Sequence, residues 1–409
     1  MNKSFWLVII TTLILVTVTG MFFALCKKKA DNEVVFWTLQ MSDFTPYIQK
    51  VISNFEKENP DIKIKWIDVP FSEGEKRTLA AVLSDNPPDL VNLNPDFSAT
   101  LAHKGALYEI PQNDMTQFNK EILDFLAYNG KIYSIPWYAT SAVTIYNKSL
   151  LKQAGVPIPV DYSQTAQYAP IVKAKTSSYV MLPNITENDT MLKILNKYGV
   201  ASSKLINSEK AVEVFDLFKY LYANDLIPKE SVTMTLQESL EKYMSGNIML
   251  ITAGPNFLNM IKENAPATYS QTDVAPQITG ALGQNDFSLM NFVIPLKAAH
   301  KKEALKFAIY LTNEENQLEL AKLTNILAVN KYALQDDFYT KTNNGDLMSK
   351  ARVISAKQLN KIQPVYKTQK GQKDINNIIN AAVQEILLDK GSTKDVLDKA
   401  AKDWKSIEE

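Results

Sequence analysis

The chain has 409 residues, which is too long for one ordinary hydrophobic core and suits two lobes. Its 44 basic and 44 acidic residues balance, and residues 31–409 carry 40 bases against 44 acids. This charge gives no basic face for nucleic acid, so we expect no such partner. One cysteine, Cys26, and two histidines, His103 and His300, exclude an intramolecular disulfide and disfavour a metal site. We expect no cofactor.

The N-terminal segment has the properties of a membrane anchor. Phe5 to Leu25 carries no charge over 21 residues, which is long enough to span a bilayer. The motif FALC, which ends at Cys26, is similar to a lipobox, although Leu25 stands where a small residue is usual. Lys27–Lys29 oppose export of the chain that follows. We expect residues 1–30 to be an export signal and anchor, either through a lipid on Cys26 or as an uncleaved helix.

Strands and helices alternate in the first third of the chain. VVFWTL predicts a buried strand, FTPYIQKVISNFEKENP a helix, and IKIKWIDV a strand with one wet face. A helix through EKRTLAAVL, the strand LVNLN and a helix ending near Gly105 follow. This order predicts an α/β fold with a mostly parallel sheet, whose ligands bind beyond the carboxyl ends of the strands.

The stretch GKIYSIPWYATSAVTIYNK predicts an interrupted strand. Lys131–Ile135 and Ser141–Tyr146 have strand patterns, and Pro136-Trp137-Tyr138 lies between them. Proline cannot donate to a strand ladder and is found at strand ends or bulges. We therefore expect one strand to stop and another to begin, with two large rings displayed between them.

The remainder of the chain is mostly helical. Ser208 to Leu226 predicts a helix with Ser208 as its N-cap. LQESLEKYMSGNIMLITAGP predicts a helix that stops at Gly246 and a strand that ends at Gly254-Pro255. Two helices follow His300, and two amphipathic helices cover Asp374–Glu409.

Enzyme motifs are scarce. SLLK, from Ser149 to Lys152, matches the S-x-x-K of penicillin-recognising serine enzymes, but a K-T-G partner is absent and Ser149 stands where a helix should be capped. We expect no enzyme. An acid pair such as Asp96 with Glu73 keeps a carboxylate-based glycoside hydrolase as an alternative.

Aromatic and polar side chains occur together at predicted strand ends. Each ring alone is more often core or interdomain filler. Several rings from separate segments beside amides and a carboxylate suit a neutral, polyhydroxylated ligand, because rings stack on C–H faces and polar groups bind hydroxyls. Few arginines lie nearby, which disfavours a phosphate or carboxylate ligand. The predicted ligand-binding residues are Trp37, Gln40, Asn94, Asp96, Trp137, Tyr138, Asn256 and Phe257.

Seven segments in register resemble a known family. They are VVFWTL, VISNFEKENPDIKIKWIDVP, LSDNPPDLVNLN, HKGALYEI, GKIYSIPWYATSAVTIYNKSLLKQAGV, YMSGNIMLITAGPNFLNMI and KKEALKFAIYLTNEENQLELA. Over about Val34–Asn330 the chain resembles extracellular solute-binding proteins of ABC importers, in the sugar-binding, maltodextrin-binding-like group. The resemblance is weaker after that.

The resemblance implies a two-lobe, periplasmic-binding-protein-like (type II) α/β fold with strands that cross between the lobes. Ser134–Ser141 would be the first crossing and about Leu289–Asn330 the return. Lobe 1 would hold residues 31–137 and about 289–330. Lobe 2 would hold about 138–288 and 331–409.

The resemblance also implies a function. The protein would be an extracytoplasmic monomer that binds a sugar or oligosaccharide between its lobes and delivers it to an ABC permease. Two departures concern the second lobe: PIPVDYSQ, with Tyr162, replaces the usual Pro-x-Thr-Trp segment, and Tyr366 is the nearest candidate for an aromatic usually found near the penultimate helix. An anchored sensor or binding module for a non-sugar ligand, such as a peptide, polyamine or metal, stays an alternative.

Overall fold

The computed structural model describes residues 33–324, 326–359 and 371–408. The predicted anchor over residues 1–30, the lipidation site Cys26 and the predicted ligand contact Tyr366 lie outside these residues. In the part of the chain that is described, none of the helices is long and apolar enough to cross a bilayer.

The first half of the described chain alternates short strands with helices, as the apolar spacing predicts. Its elements are β1 (Glu33–Leu39), α1 (Thr45–Glu58), β2 (Lys63–Val69), α2 (Phe71–Val82), β3 (Leu90–Leu93), α3 (Pro95–His103), α4 (Lys120–Leu126), β4 (Ala127–Tyr128), β5 (Lys131–Ile132), β6 (Ser134–Ser141), β7 (Val143–Asn147), α5 (Lys148–Ala154), α6 (Tyr162–Thr176) and α7 (Thr190–Asn196).

The second half is richer in helix. Its elements are α8 (Glu209–Ala223), α9 (Leu236–Met244), β8 (Leu250–Ala253), α10 (Phe257–Asn264), α11 (Pro266–Gln271), β9 (Thr272–Pro276), β10 (Phe287–Val293), α12 (Lys301–Leu311), α13 (Glu314–Thr324), β11 (Leu327–Ala328), α14 (Asp337–Thr340), α15 (Leu347–Leu359), α16 (Gln372–Leu387) and α17 (Thr393–Glu408). Short 3-10 turns cover Ser42–Phe44, Gln112–Met115, Lys229–Val232 and Ala333–Gln335.

Several local predictions are confirmed. The Ser208 side chain caps α8 by accepting a hydrogen bond from the Ala211 amide. Gly246, with φ of 79°, ends the turn after α9 in the left-handed region that glycine tolerates. The predicted cap at Ser149 is wrong, because Asn147, two residues earlier, is the N-cap of α5 and its side chain accepts from the amides of Ser149 and Leu150.

Two main sheets organise the fold. The larger sheet has the strand order β11-β6-β10-β3-β1-β2, and the smaller has the order β8-β7-β9. β1 pairs with β2 and β3 in parallel, but β10 and β6 join the larger sheet antiparallel. The predicted mostly parallel sheet is therefore correct for the first three strands and wrong for the rest, because β10 and β6 reach this sheet from distant parts of the chain.

The predicted interruption at Pro136-Trp137-Tyr138 is wrong. β6 runs through these residues, and its register against β10 shifts between Met290 and Asn291. Met290 faces Tyr138 and Asn291 faces Pro136, so Trp137 is the extra residue of a β-bulge. The bulge accommodates Pro136, since the irregular pairing needs one backbone hydrogen bond fewer between β6 and β10.

The buried side chains form separate cores around the two sheets. In the first core, the Phe36 ring packs edge-on against Phe292 and Phe307, with centroids 5.7 and 5.4 Å apart. Around the smaller sheet, the buried rings include Tyr243 and Trp404. These separate cores are the two lobes of the molecule. Residues of the stretch 331–359 pack into the first core, although the sequence analysis placed 331–409 in lobe 2: Ala333, Tyr339, Ala356 and Leu359.

In the described part of the chain, three segments join the lobes. Ala142 links β6 of the larger sheet to β7, the central strand of the smaller sheet. Residues 277–286 return the chain from β9 to β10. α15 spans both lobes, with Ala351 in a core of the second and Leu359 in the core of the first.

Buried hydrogen bonds tie these three segments together. The Gln358 side chain of α15 donates to Ser141 Oγ and the Ala142 carbonyl at 2.8 Å each, and its Oε1 accepts from the Gln277 amide at 2.8 Å. Gln277 in turn bonds the backbone of Asp286. We call Ser141, Gln277, Asp286 and Gln358 the crossing cluster.

Candidate functional site

A cleft lies between the two lobes. It consists of adjoining cavities of 430, 340 and 240 Å³. The first two share Thr140, Ser141, Gly254 and Asn256 among their lining residues, and the first and third share Lys193, Asp286, Phe287 and Ser288. Since both lobes and the crossing segments contribute to its walls, this cleft is the candidate binding site. A cavity of 230 Å³ is lined by first-lobe residues and shares Pro95 and Phe125 with the 240 Å³ cavity, and one of 500 Å³ shares no lining residue with the cleft.

The first-lobe wall is built where parallel strands end. After β1 the chain turns at Gln40, a non-glycine residue with φ of 50°. The Asp68 carboxylate holds this turn, because it accepts from Thr38 Oγ1 at 2.6 Å and from the Met41 amide at 2.9 Å. Met41 and Phe44 thereby line the 340 Å³ cavity.

The end of β3 supplies polar groups. The Asn94 side chain caps α3 by accepting from the Phe97 amide at 2.8 Å. Asn94 and Asp96 line the 240 Å³ cavity, as the strand-end argument predicts.

The second-lobe wall follows β8. Thr252, Asn256 and Phe257 line the 430 Å³ cavity. Gly254 lies between them, and a Cβ at this position would lie 2.5 Å from Asn256 Oδ1. The amide therefore sits directly over the turn after β8.

The structure brings together only some of the residues named from the sequence. Asn94, Asp96, Tyr138, Asn256 and Phe257 line the cleft. Burial raises the pKa of the Tyr138 phenol to about 12, so this ring is a neutral hydrogen-bonding group at ordinary pH.

Three of the named residues lie elsewhere. Trp137 is 0% exposed and stacks on Phe292 in the first core, with ring centroids 4.6 Å apart. Trp37 packs against a small apolar cluster of the first lobe that contains Val91 and Leu93. The Arg77 guanidinium lies 5.3 Å from the centroid of the Trp37 ring. Gln40 is exposed but is not among the residues that line the cleft.

Other lining residues were missed by the sequence reasoning. Most of them come from segments that reach the cleft only through long-range packing. Thr252 and Tyr162 had a local signal, because Thr252 lies in the strand before Asn256 and Tyr162 in the segment PIPVDYSQ. The missed lining residues are Tyr162, Lys193, Thr252, Asp286, Phe287, Arg352 and Ser355.

The cleft holds charges that are largely compensated within the protein. Asp286 lies 2.6 Å from Lys197, and Asp189 lies 3.0 Å from Lys193. Glu187 accepts a hydrogen bond from the Leu236 amide at 2.9 Å. The two ion pairs cancel their own charges, whereas Glu187 keeps its negative charge and Arg352 brings a positive charge to the 340 Å³ cavity.

Polar atoms without a partner accompany these pairs. Thr252 Oγ1, Ser355 Oγ and Asp286 Oδ1 are buried, and none has a hydrogen-bond partner among the described residues. Each belongs to a residue that lines the cleft. Buried polar atoms are normally satisfied, so these three are open to a further partner, as are eight other buried polar atoms of the described residues, Trp137 Nε1 in the first core among them.

The alternative chemical sites receive little support. Ser149 is exposed, and its hydroxyl donates to Gln271 Oε1 at 2.6 Å on a surface outside the cleft. The side chain of Glu73, the proposed partner of Asp96, lies outside the part of the structure that is described. Among the residues described, no three His, Cys, Asp or Glu side chains come together as a metal site.

The described residues form two α/β lobes around a cleft, an arrangement that suits the binding of a solute between them. The chain belongs to the bacterial extracellular solute-binding proteins, since the model of that family matches residues 50–345. The resemblance stated from the sequence is confirmed to this extent, as is the two-lobe fold.

Similar proteins carry more specific names. The chain is 24% identical over 390 residues to the multiple sugar-binding protein of Streptococcus mutans. This alignment covers 81% of this chain and 91% of that protein. It is 27% identical to a protein from Synechococcus sp. MITs9220, provisionally named an oligosaccharide periplasmic-binding protein, with a TM-score of 0.80 and coverage of 91% and 98%. An ABC substrate-binding protein from Listeria monocytogenes, solved with cycloalternan, shares the fold at 21% identity, a TM-score of 0.69 and coverage of 92% and 98%.

Proposed function

We propose that this protein binds a sugar or oligosaccharide in the cleft between its lobes and delivers it to an ABC permease. One observation carries the proposal: the half-buried rings of Tyr138, Phe257 and Phe287 line the same cleft as the unpartnered hydroxyls of Thr252 and Ser355. Rings offer apolar faces to the C–H side of a sugar, and the hydroxyls match its polar edge. The names of the Streptococcus and Synechococcus relatives support the same ligand class.

The proposed mechanism is binding without chemistry. An open form takes up the solute, and contacts from both lobes then stabilise a closed form that a permease recognises. The solute shifts this equilibrium only by its greater affinity for the closed form. The segments that join the lobes are the parts of the fold that must accommodate this movement.

The proposal includes the location and the lobes. The family is extracellular, and the uncharged segment Phe5–Leu25 or a lipid on Cys26 would anchor the protein to the cell membrane. We keep the predicted lobe 1 but extend its two parts to 31–141 and 287–340, because β6 and β10 pair in the larger sheet and Ala333 and Tyr339 pack in its core. Residues 143–276 and the last two helices form lobe 2.

Trp37, Trp137 and Gln40 are not given ligand contacts in this proposal. The proposed contacts are Asn94, Asp96, Tyr138, Asn256 and Phe257, joined by the polar groups missed from the sequence. Tyr366 stays a prediction.

A thermal-shift and tryptophan-fluorescence screen tests the function. The panel is glucose, maltose, raffinose and maltotetraose, with spermidine and a tripeptide as rival solutes. A solute at a hundred times its dissociation constant should add about 2.7 kcal/mol of stability. Stabilisation by spermidine or the tripeptide alone would refute the sugar assignment.

A second readout separates binding from hydrolysis. After prolonged incubation with the protein, maltotetraose should be recovered intact by chromatography. Release of shorter sugars would instead favour the carboxylate-based hydrolase. Phe257→Ala should abolish most of the stabilisation by the sugar, whereas Tyr332→Ala, at an exposed tyrosine outside the cleft, should leave it unchanged.

A further inference from the structure

A carboxylate that no sequence motif identifies lies at the junction of the lobes. Asp286 follows the return segment 277–285 and lines both the 430 and the 240 Å³ cavities. Its side chain is 24% exposed. One oxygen, Oδ2, lies 2.6 Å from Lys197 Nζ, and the other, Oδ1, is buried without a partner in the described part of the chain.

Lys197 is held firmly enough to orient this carboxylate. Its side chain is 1% exposed, and its ammonium also donates to the Ile278 carbonyl at 3.0 Å. The ammonium lies 5.6 Å from the centre of the Tyr162 ring. Burial alone would lower the pKa of Lys197, but its interactions with Tyr162 and Asp286 raise the pKa above its ordinary value, so the ammonium stays charged.

The backbone of Lys197 is closely packed as well. Gly280 lies against it, so that a Cβ at position 280 would come within 2.6 Å of the Lys197 carbonyl oxygen.

The backbone of Asp286 is fixed as well. Its amide donates to Gln277 Oε1 at 3.0 Å, and its carbonyl accepts from Gln277 Nε2 at 3.0 Å. With the backbone bonded on both sides and Oδ2 bonded to Lys197, the direction of Oδ1 is determined before any solute arrives.

We propose that Asp286 Oδ1 accepts a hydrogen bond from one hydroxyl of the bound solute, and that Lys197 is the residue that positions it. This inference rests on the proposed function, since it requires a hydroxylated solute. A buried carboxylate oxygen without a donor is unfavourable, and a solute hydroxyl removes that cost only when it stands at the matching position. Asp286 would therefore determine which hydroxyl pattern the cleft accepts, because a solute that lacks this hydroxyl leaves the carboxylate unsatisfied.

Binding titrations of the full chain test this assignment. The probes are glucose, maltose, raffinose and maltotetraose, followed by the monodeoxy derivatives of whichever binds. In Asp286→Asn the amide oxygen should accept the hydrogen bond from Lys197. The NH₂ group then replaces Oδ1 and presents a donor, instead of an acceptor, to the solute. We expect the dissociation constant to rise at least tenfold. One monodeoxy derivative should bind the wild type and Asp286→Asn equally, because it lacks the hydroxyl that Asp286 recognises.

Matched variants separate contact from support. Asp273 is also paired with a lysine, Lys350 at 2.6 Å, but it does not line the cleft. Asp273→Asn should therefore leave the affinity for the sugar unchanged. Lys197→Gln should weaken binding in the wild type but add little in the Asp286→Asn background. A purely structural role for Lys197 would weaken binding equally in both backgrounds.

Each remaining outcome overturns the proposal. If Asp286→Asn binds the same sugar within twofold of the wild type, Asp286 is not a contact, although the proposed function survives. If every deoxy derivative is weakened by the same factor in the variant, Asp286 acts through the fold. If no sugar binds the wild type, both proposals fail. Should Asp286→Asn not fold, Asp286→Glu keeps the charge, moves the carboxylate by one methylene and should show the same selective loss.

Discussion

Replacing Trp137 by alanine separates two roles for this ring, a core residue and a ligand contact. The side chain is fully buried, its ring stacks on Phe292 at 4.6 Å, and it meets Tyr138 edge-on at 5.0 Å. Burial of about 200 Å² of apolar surface at about 25 cal/mol per Å² gives an upper value of about 5 kcal/mol. Truncations of buried tryptophan cost about 3–5 kcal/mol, so we expect a loss of this size in the free energy of unfolding.

The measurement is urea denaturation without ligand, made on wild type, Trp137→Ala and Phe257→Ala. Phe257 is the control, because its ring is only half-buried and lines the cleft. Phe257→Ala should lose about 1–2 kcal/mol of stability but at least tenfold in sugar affinity. If Trp137→Ala unfolds within about 1 kcal/mol of the wild type and yet loses sugar binding, the ring faces the solute and our reasoning from burial is refuted.

Two further predictions concern bonds outside the proposed contacts. Asp273 lies 2.6 Å from Lys350, and although burial opposes the shift, the hydrogen bond from Lys350 lowers the pKa of the Asp273 carboxyl. A carboxyl whose pKa is lower in the folded state stabilises the fold above its unfolded pKa of about 4, and this stability is lost as the pH falls through the folded pKa. Asp273→Asn should therefore cost at most about 1 kcal/mol of stability near pH 7 and little at pH 3. Thermal melts at both pH values measure the difference. Gln358→Leu leaves the Gln277 amide and the Ala142 carbonyl without this hydrogen-bond partner. Urea denaturation should then show a free energy of unfolding lower by about 2–4 kcal/mol. A decrease below about 1 kcal/mol would mean that the crossing cluster contributes little to stability.

Local signals in the sequence predicted much of the second lobe. The N-cap at Ser208, the stop at Gly246 and the final pair of helices, α16 and α17, depend on neighbouring residues and on apolar spacing. Such signals act within a few turns of chain, so they can be read without knowledge of distant contacts.

The strand through Pro136 shows where local reading stops. Proline argued for a break, but the bulge against Met290 and Asn291 lets β6 continue, and the shift turns Trp137 into the core. No residue near Pro136 reveals that a strand from about 150 positions later will pair with it, because register is decided by the partner.

The sequence by itself determined the family, the alternation of strands and helices, and the strand ends from which Asn94, Asn256 and Phe257 reach the cleft. Only the tertiary structure decided which rings face that cleft and which fill a core. It also brought Asp286 to Lys197, and Gln358 to Ser141. The physical reason is that helices and caps are specified by residues a few positions apart, whereas a cleft between lobes is built from segments that meet only after the whole chain has folded.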